Sequence, residues 1–287
     1  MKSFTSMSVL TELTIKIPGM SGKDESATNV ANTELKATAD AGYYKKCKIA
    51  RADIISVINA RDHARNYRRN MTSPWGDNDL RLLPTARLLE YNSAMGNYKA
   101  DFEKAVSDVE ADWDNIVDKQ RHRLNKIGGT LFDPKDYPAK HEIASKFIFK
   151  TGQLPVPQVG HFVLDLEQHT LEKLKDDLDR ANAEKMDKCQ MDMLQRLITP
   201  VSKMANICNN DKKVFDSLIG NLEQTVDILT DLNVTGNVQF MDMILEVKNH
   251  LTGFTSGQIR KNKHLKQQLG EKADEISAKM KAMLGDL

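Results

Sequence analysis

Four arginines are the side chains in this sequence whose type and spacing most clearly suggest a chemical role. On a helix, their spacings of three and four residues place the guanidinium groups along one face. A row of such donors suits the phosphates of a nucleic acid, and two neighbouring aromatic rings suit stacking on unpaired bases. The candidate nucleic-acid-binding site therefore consists of Arg61, Arg65, Arg68, Arg69, Tyr67 and Trp75.

The same arginine row has a purely structural interpretation. The segment 101–118 is rich in Asp and Glu and follows the arginines in a predicted helix. The arginines would then form a solvated helix face that pairs with the acidic helix, and an exposed pair of that kind contributes little to stability.

One set of residues has the spacing of a metal site. His161, Asp165 and His169 are four residues apart, so a helix would present two imidazoles and a carboxylate on one side. However, residues 161–166 alternate between apolar and polar types, as a strand does, and in a strand these side chains diverge. We therefore interpret them as ordinary surface groups.

Motifs of known enzyme classes are absent from the sequence. It contains no P-loop, no GxGxxG, no GxSxG and no HExxH. Asp112/Asp114 and the Asp176-Asp177 pair lie on charged helix faces, where solvation explains them, and Gly128-Gly129 is a helix stop. We expect no catalytic residues, no metal and no cofactor, and hence a protein that is not an enzyme.

Composition and charge favour a helical protein. Charged residues make up 28% of the chain and aromatic residues only 6%, which is typical of long helices. The net charge of +1 gives no general attraction to nucleic acid or membranes. Three scattered cysteines and the lack of any membrane-spanning run of about 18 apolar residues predict a soluble, unexported, cytoplasmic protein.

The first half of the chain predicts a small antiparallel sheet beside long helices. Residues 9–17 alternate as a half-buried strand, 21–32 predict a loop, and 33–70 predict a basic helix that ends before Pro74. A helix over 85–127 carries apolar residues at steps of three and four. Strands at 146–150 and 161–166 follow, and the sheet would combine 9–17, the segments flanking Gly76, and 146–150.

The second half of the chain predicts helices alone. A second long seam of apolar residues runs to Thr199-Pro200. Two more helices carry apolar residues from Phe215 to Leu229 and from Phe240 to Leu251. The tail from Ser256 has few apolar residues, so we expect it to dock on a partner or to fray. The predicted class is mainly α (α+β): long antiparallel helices or a coiled-coil hairpin with a small antiparallel β-sheet. The predicted domains are 1–160, 161–255 and a tail at 256–287.

Several turn motifs resemble a phage and prophage family known only as a domain of unknown function. The resemblance covers roughly residues 54–251. Its residues are Ala64-Arg65-Asn66-Tyr67, Thr72-Ser73-Pro74-Trp75-Gly76, Arg81-Leu82-Leu83-Pro84, Leu131-Phe132-Asp133-Pro134 with Tyr137-Pro138, Leu154-Pro155-Val156-Pro157, and Leu232-Asn233-Val234-Thr235-Gly236. The resemblance implies location in the host cytoplasm and suggests a phage AAA-type ATPase as partner. It implies no activity.

Two functions are compatible with these features. The first is a non-enzymatic, phage-type helical protein that acts through protein–protein contacts and self-assembly as a homo-oligomer; we prefer it because the two helical seams are long. The alternative is a single-stranded nucleic-acid-binding or annealing protein that uses the basic helix around Arg61 and Arg69.

Overall fold

The structure, a computed structural model, describes residues 4–76, 78–126, 129–158 and 168–285. The strands within these residues are β1 (Ser8–Lys16), β2 (Ser21–Asp24), β3 (Tyr44–Cys47), β4 (Ser73–Pro74), β5 (Arg81–Pro84) and β6 (Ile148–Pro155). The helices are α1 (Glu25–Glu34), α2 (Ile55–Met71), α3 (Leu88–Ala111), α4 (Trp113–Leu124), α5 (Lys140–Ile143), α6 (Gln168–Asn209), α7 (Asp216–Leu232), α8 (Val238–Leu251), α9 (Ser256–Lys261) and α10 (Lys263–Gly285). The predicted class, mainly α with a small antiparallel sheet, is confirmed; the coiled-coil hairpin stays a prediction.

The chain divides into two compact units. The first unit contains Met1–Glu12, Arg68–Tyr91 and Gly152–Leu287, and the second contains Leu13–Tyr67 and Asn92–Thr151. Each unit therefore combines separate stretches of chain. The predicted domains, 1–160, 161–255 and 256–287, were consecutive, because a division made from sequence follows chain order and not spatial contacts.

The small sheet has the strand order β4-β5-β1-β6. β1 pairs antiparallel with β5, with Ser8 opposite Pro84 and Thr11 opposite Arg81, and β4 pairs antiparallel with β5. These strands are the predicted ones, although β6 begins at Ile148, two residues later than predicted, and extends to Pro155 instead of ending at residue 150. The predicted strand 161–166 lies outside the described residues.

In the first unit, a tight turn between β4 and β5 places a tryptophan in the core. Gly76 has a φ of +84°, a conformation that glycine adopts without a steric penalty. The Trp75 amide donates to the Leu80 carbonyl at 2.8 Å. The Trp75 side chain is 1% exposed and belongs to a cluster of buried residues that joins the sheet to α6: Leu10, Leu82, Val156, Met186 and Cys189.

Helix α6 continues through a proline, contrary to the prediction that it ends at Thr199-Pro200. Pro200 has no amide hydrogen for the usual helical bond, and a proline inside a helix costs about 3 kcal/mol. The apolar residues on both sides of the proline explain the continuation, because their burial outweighs this cost: Leu197, Ile198, Val201, Met204 and Ala205.

The C-terminal tail also differs from its prediction, because it packs within the first unit and not on a separate partner. Helix α10 lies along α6 and contacts α8. Its Ile276 and Met280 are fully buried, and the Ser277 hydroxyl is 2.7 Å from the Ser202 hydroxyl of α6. The few apolar residues of the tail are spaced at three and four, so they form one continuous buried face.

The second unit contains two elements where a loop was predicted over 21–32. β2 pairs with β3, and α1 follows immediately. The Asp24 side chain accepts a hydrogen bond from the Ala27 amide at 2.9 Å, which caps α1. The predicted helix over 33–70 is wrong in its first part, because α1 ends at Glu34, Lys36 has a φ of +52°, and α2 begins only at Ile55.

The predicted helix over 85–127 is two helices, α3 and α4, with a break at Asp112. Its apolar seam is confirmed, because the side chains of Met95, Phe102, Val109, Trp113 and Ile116 are buried. All five residues lie in the second unit. The Trp113 indole nitrogen also donates to the Pro138 carbonyl at 2.9 Å. Ile127 lies outside the described residues.

Replacing Trp113 by Asp should destabilise the protein by roughly 3–5 kcal/mol, because it removes a buried ring and places a carboxylate in the same apolar site. Chemical denaturation measures the change. Lys119→Asp is the control, because Lys119 is exposed on the same helix, and it should change stability by less than about 1 kcal/mol. Equal stability of the two variants would show that Trp113 does not belong to the core.

Candidate functional site

Helix α2 does not present the arginine row on one exposed face. Arg65 and Arg69 are exposed and Arg61 is half-buried, but Arg68 is only 3% exposed. The cause is helical geometry: Arg68 lies next to the buried Ala64 and Met71, four residues before it and three after it.

The two aromatic residues of the candidate site are also not free to bind a base. Trp75 is in the core of the first unit, as described above. Tyr67 is half-buried and packs on Tyr98, with 5.3 Å between the ring centroids. The six predicted nucleic-acid-binding residues thus do not form one surface, and the surface part consists of Arg61, Arg65 and Arg69.

The surface arginines have local partners. The Arg61 Nε atom is 2.8 Å from the Asp62 carboxylate, and Arg65 donates to the Ile15 carbonyl at 3.3 Å. Among the described contacts, neither of these two arginines forms an ion pair with the acidic segment 101–118. The predicted charge pairing between the two helices therefore has no support in the second unit.

Arg68 instead ties α2 to β1 and to the turn that precedes β5, within the first unit. It donates to the Thr11 carbonyl at 2.8 Å and to the Asp79 carboxylate at 2.8 Å, and also to the Asp79 carbonyl. Asp79 has a φ of +54°, so the turn adopts a left-handed conformation where it meets the guanidinium.

Two further arginines of the first unit bind the C-terminal end of α2. Arg81 donates to the Thr72 hydroxyl at 2.7 Å, to the Thr72 carbonyl at 2.8 Å and to the Arg69 carbonyl at 3.3 Å. Arg196, from α6, donates to the Thr72 carbonyl at 3.1 Å and to the Asn70 carbonyl. The last carbonyls of a helix lack intrahelical partners and carry partial negative charge, so cations are favourable there.

We name Arg68, Arg81 and Arg196 the arginine cluster. Burial is the largest influence on the pKa of Arg81 and of Arg196 and lowers both, while the Asp192 carboxylate acts in the opposite direction. Arginine nevertheless stays charged at physiological pH. The cluster is therefore a permanent positive charge close to two carboxylates, those of Asp79 and Asp192.

Sequence reasoning identified Arg68 and missed Arg81 and Arg196 as members of this group. Arg81 belongs to the Arg-Leu-Leu-Pro motif, which was a detectable signal of an unusual position. Arg196 had no such signal, because only the folded structure brings it close to the C-terminal end of α2.

The lysines before α2 belong to a separate ion cluster of the second unit. Lys46 is 5% exposed, and its ammonium group lies 2.7 Å from the Asp24 carboxylate and 2.8 Å from that of Asp136. Burial alone would lower the pKa of Lys46, but hydrogen bonds to these two carboxylates outweigh it, and the pKa is raised. Lys48 also pairs with Asp136, at 2.6 Å. Two cations and two anions balance, which suits a structural role.

Leucines of α6 form an exposed apolar face. Leu171 and Leu178 are half-buried and Leu174 is 39% exposed. No side chain of the described stretch 170–181 is buried, whereas buried residues recur every three or four positions from Asn182 onward. Among the described residues, these first turns of α6 thus contribute no buried side chain to the core of the first unit. We name Leu171, Leu174 and Leu178 the leucine face.

The described residues offer no group of three or more His, Cys, Asp or Glu residues that could hold a metal ion. The candidates His161 and Asp165 lie outside these residues, as does the side chain of His169. Burial raises the pKa of the Cys189 thiol to about 12, and its sulfur lies 2.9 Å from the Pro74 carbonyl. A thiol in this state is a poor nucleophile.

Comparisons with known proteins give no relative for this chain: no family model, no curated protein and no solved structure matches it. Among the described residues, no helix is both long enough and apolar enough to cross a membrane.

Arg81→Met should destabilise the protein by about 1–3 kcal/mol, because it removes the donor to the buried Thr72 hydroxyl oxygen and one of the two arginine donors to the Thr72 carbonyl. Arg69→Met is the matched control, because the Arg69 side chain is exposed in the last turn of α2. This replacement should change the stability by less than about 0.5 kcal/mol. Thermal or chemical denaturation compares the two. If Arg81→Met is as stable as the control, the helix end does not depend on this guanidinium.

The double replacement Arg65→Glu and Arg69→Glu should leave the fold intact, because both side chains are exposed. We expect the wild-type protein not to bind an unstructured oligonucleotide in a fluorescence anisotropy titration at low salt. Salt-sensitive binding that this double variant loses would favour the nucleic-acid alternative, since each neutralised phosphate releases counterions.

Proposed function

We propose that the protein is a non-enzymatic, phage-type helical protein that acts through protein–protein contacts and self-assembles. The leucine face at the start of α6 carries this proposal. It is an apolar stripe at helical spacing that the described part of the chain leaves partly exposed. Helix faces of this kind bury their leucines against another helix.

A second copy of the chain is the occupant that fits the leucine face. The charged residues of these turns are Glu172, Lys173 and Lys175, with a net charge of +1, followed by Asp176, Asp177, Asp179 and Arg180, with a net charge of −2. Two copies in antiparallel arrangement would therefore place the weakly basic half of one helix beside the acidic half of the other. Opposite charges at the edge of an apolar contact favour association and select its orientation.

The size of the leucine face predicts weak association. Each leucine is already partly covered, so its further burial contributes about 1 kcal/mol. Six leucines from two copies must offset a cost of association of at least about 4 kcal/mol. The leucines alone therefore leave a net gain of at most about 2 kcal/mol, and the dissociation constant of about 1 mM that we expect requires about 2 kcal/mol more from the charges that border them.

The phage-type assignment and its implications rest on the motif resemblance. It supports location in the host cytoplasm and a phage AAA-type ATPase as a further partner. The α6 segment is also a suitable surface for such a partner, because it is exposed and carries both signs of charge.

Single-stranded nucleic-acid binding is the alternative function. It rests on Arg65 and Arg69, which are exposed one helical turn apart and are able to contact neighbouring phosphates. Because Trp75 and Arg68 are buried, this surface offers fewer phosphate and base contacts than the sequence predicted, and we prefer self-assembly.

Leu174→Asp should abolish self-association, because a carboxylate on the apolar face would have to be desolvated in the contact. Analytical ultracentrifugation of the full chain over a concentration series measures this. Ala183→Asp is the control: it adds the same charge to an exposed position on the other side of α6 and should leave association unchanged. Two results would exclude the leucine face as the contact: a wild-type protein that stays monomeric at about 1 mM, or a Leu174→Asp variant that associates as strongly as the wild type.

A further inference from the structure

A groove in the first unit lies beside Pro200, where α6 continues despite the proline. It has a volume of about 460 Å³ and is bordered by α6 on one side and α7 on the other. Pockets that bind small organic molecules span about 300–1,000 Å³. Its polar lining comes from Arg196, Thr199 and Lys203 of α6 and from Asn221, Gln224 and Thr225 of α7, together with Asn70 of α2.

The lining of the groove is positively charged. Arg196 and Lys203 lie two helical turns apart on the same side of α6, and the residues that border the groove include no Asp or Glu. Asp192 is the carboxylate paired with Arg196, at 3.4 Å. Arg81 donates to the same Thr72 carbonyl as Arg196, so the guanidinium groups of the two arginines lie close together.

The Arg196 guanidinium is fixed in place before any ligand arrives. The carbonyls of Asn70 and Thr72 hold it at the end of α2. Its Nη1 group donates to the Thr72 carbonyl and to Asp192, and its Nη2 group donates to the Asn70 carbonyl, so among the described contacts the Nε–H and one Nη2–H are left for a phosphate. Because the guanidinium is already oriented, these two donors bind at a low entropic cost. Lys203 is exposed and adds a mobile point charge, while the amides and hydroxyl of α7 face the same space.

We propose that this groove binds a small phosphate monoester, with Arg196 and Lys203 at its phosphate and Asn221, Gln224 and Thr225 at a polar organic part. A dianionic phosphate matches two cations, and a ligand body with hydroxyl or amide groups matches the donors and acceptors of α7. Leu218 and Ile228 provide an apolar border for the non-polar face of such a body.

The burial of Arg196 supports the same conclusion. Desolvation lowers its pKa and the Asp192 carboxylate raises it, and desolvation is the larger of the two effects. A bound phosphate would place a further negative charge beside this guanidinium.

Titration calorimetry on the full chain tests this with three probes: inorganic phosphate, ribose 5-phosphate and ribose. We expect inorganic phosphate to bind weakly, ribose 5-phosphate to bind at least about tenfold more tightly, and ribose not to bind, since the neutral sugar lacks the charge-assisted hydrogen bonds.

Two variants that leave the core intact locate the site, and a third is the control. Lys203→Gln should weaken ribose 5-phosphate binding about tenfold, because it removes one of two cations at the phosphate. Lys188→Gln removes an equally exposed lysine from α6 outside the groove and should have no effect. Thr225→Val should weaken ribose 5-phosphate more than inorganic phosphate, because Thr225 is assigned to the organic part.

Several results would overturn the proposal. They are the absence of binding by either phosphate probe, binding that Lys203→Gln leaves unchanged, and ribose 5-phosphate no tighter than inorganic phosphate. Displacement of ribose 5-phosphate by a single-stranded oligonucleotide that binds more tightly would assign the groove to nucleic acid instead. The Leu174→Asp variant should bind ribose 5-phosphate like the wild type, so this inference stands or fails separately from self-assembly.

Discussion

The arginine cluster at the C-terminal end of α2 is the interaction on which the first unit depends. A helix end exposes carbonyls that need donors, and here two side chains distant in sequence supply them: Arg81 from β5 and Arg196 from α6. Arg68 adds the connection to β1 through the Thr11 carbonyl. The sheet, the end of α2 and the long helix α6 are thereby fixed to one another. Because guanidinium groups remain charged and donate in a planar fork, lysine would not replace them here.

The second unit solves a similar problem with a different arrangement. Its β3 strand carries Lys46 into the interior, where the carboxylates of Asp24 and Asp136 and the Leu131 carbonyl surround the ammonium group. The segment after α4 covers this site, since the Tyr137 hydroxyl donates to the Lys48 carbonyl at 2.8 Å. A buried charge that lost one of these partners would be costly. The Asp133-Pro134 and Tyr137-Pro138 turns therefore have a structural explanation.

The surfaces left over from these structural roles are where function is to be sought. Of the four arginines in the predicted nucleic-acid-binding site, Arg68 takes part in holding the fold. Two further surfaces are the leucine face at the start of α6 and the cationic groove between α6 and α7, whose Arg196 also binds the end of α2. The first is apolar and suits a protein contact; the second is polar and suits a small anion. They lie at opposite parts of the same 42-residue helix, before and after its middle.

The sequence alone determined the helical class, the four strands of the sheet and the apolar seam from Met95 to Ile116, because hydrophobic periodicity reports which face of an element is buried. It could not decide where polar segments fold: α1 and β2 depend on the Asp24 cap and on pairing with β3. It could not decide that Pro200 is tolerated, since that depends on the packing around it. Above all, it could not separate Arg68 from Arg69. The spacing in the sequence gives the position of each arginine around the helix. Only the tertiary contacts determine which arginine is exposed to solvent and which one donates hydrogen bonds to buried carbonyls.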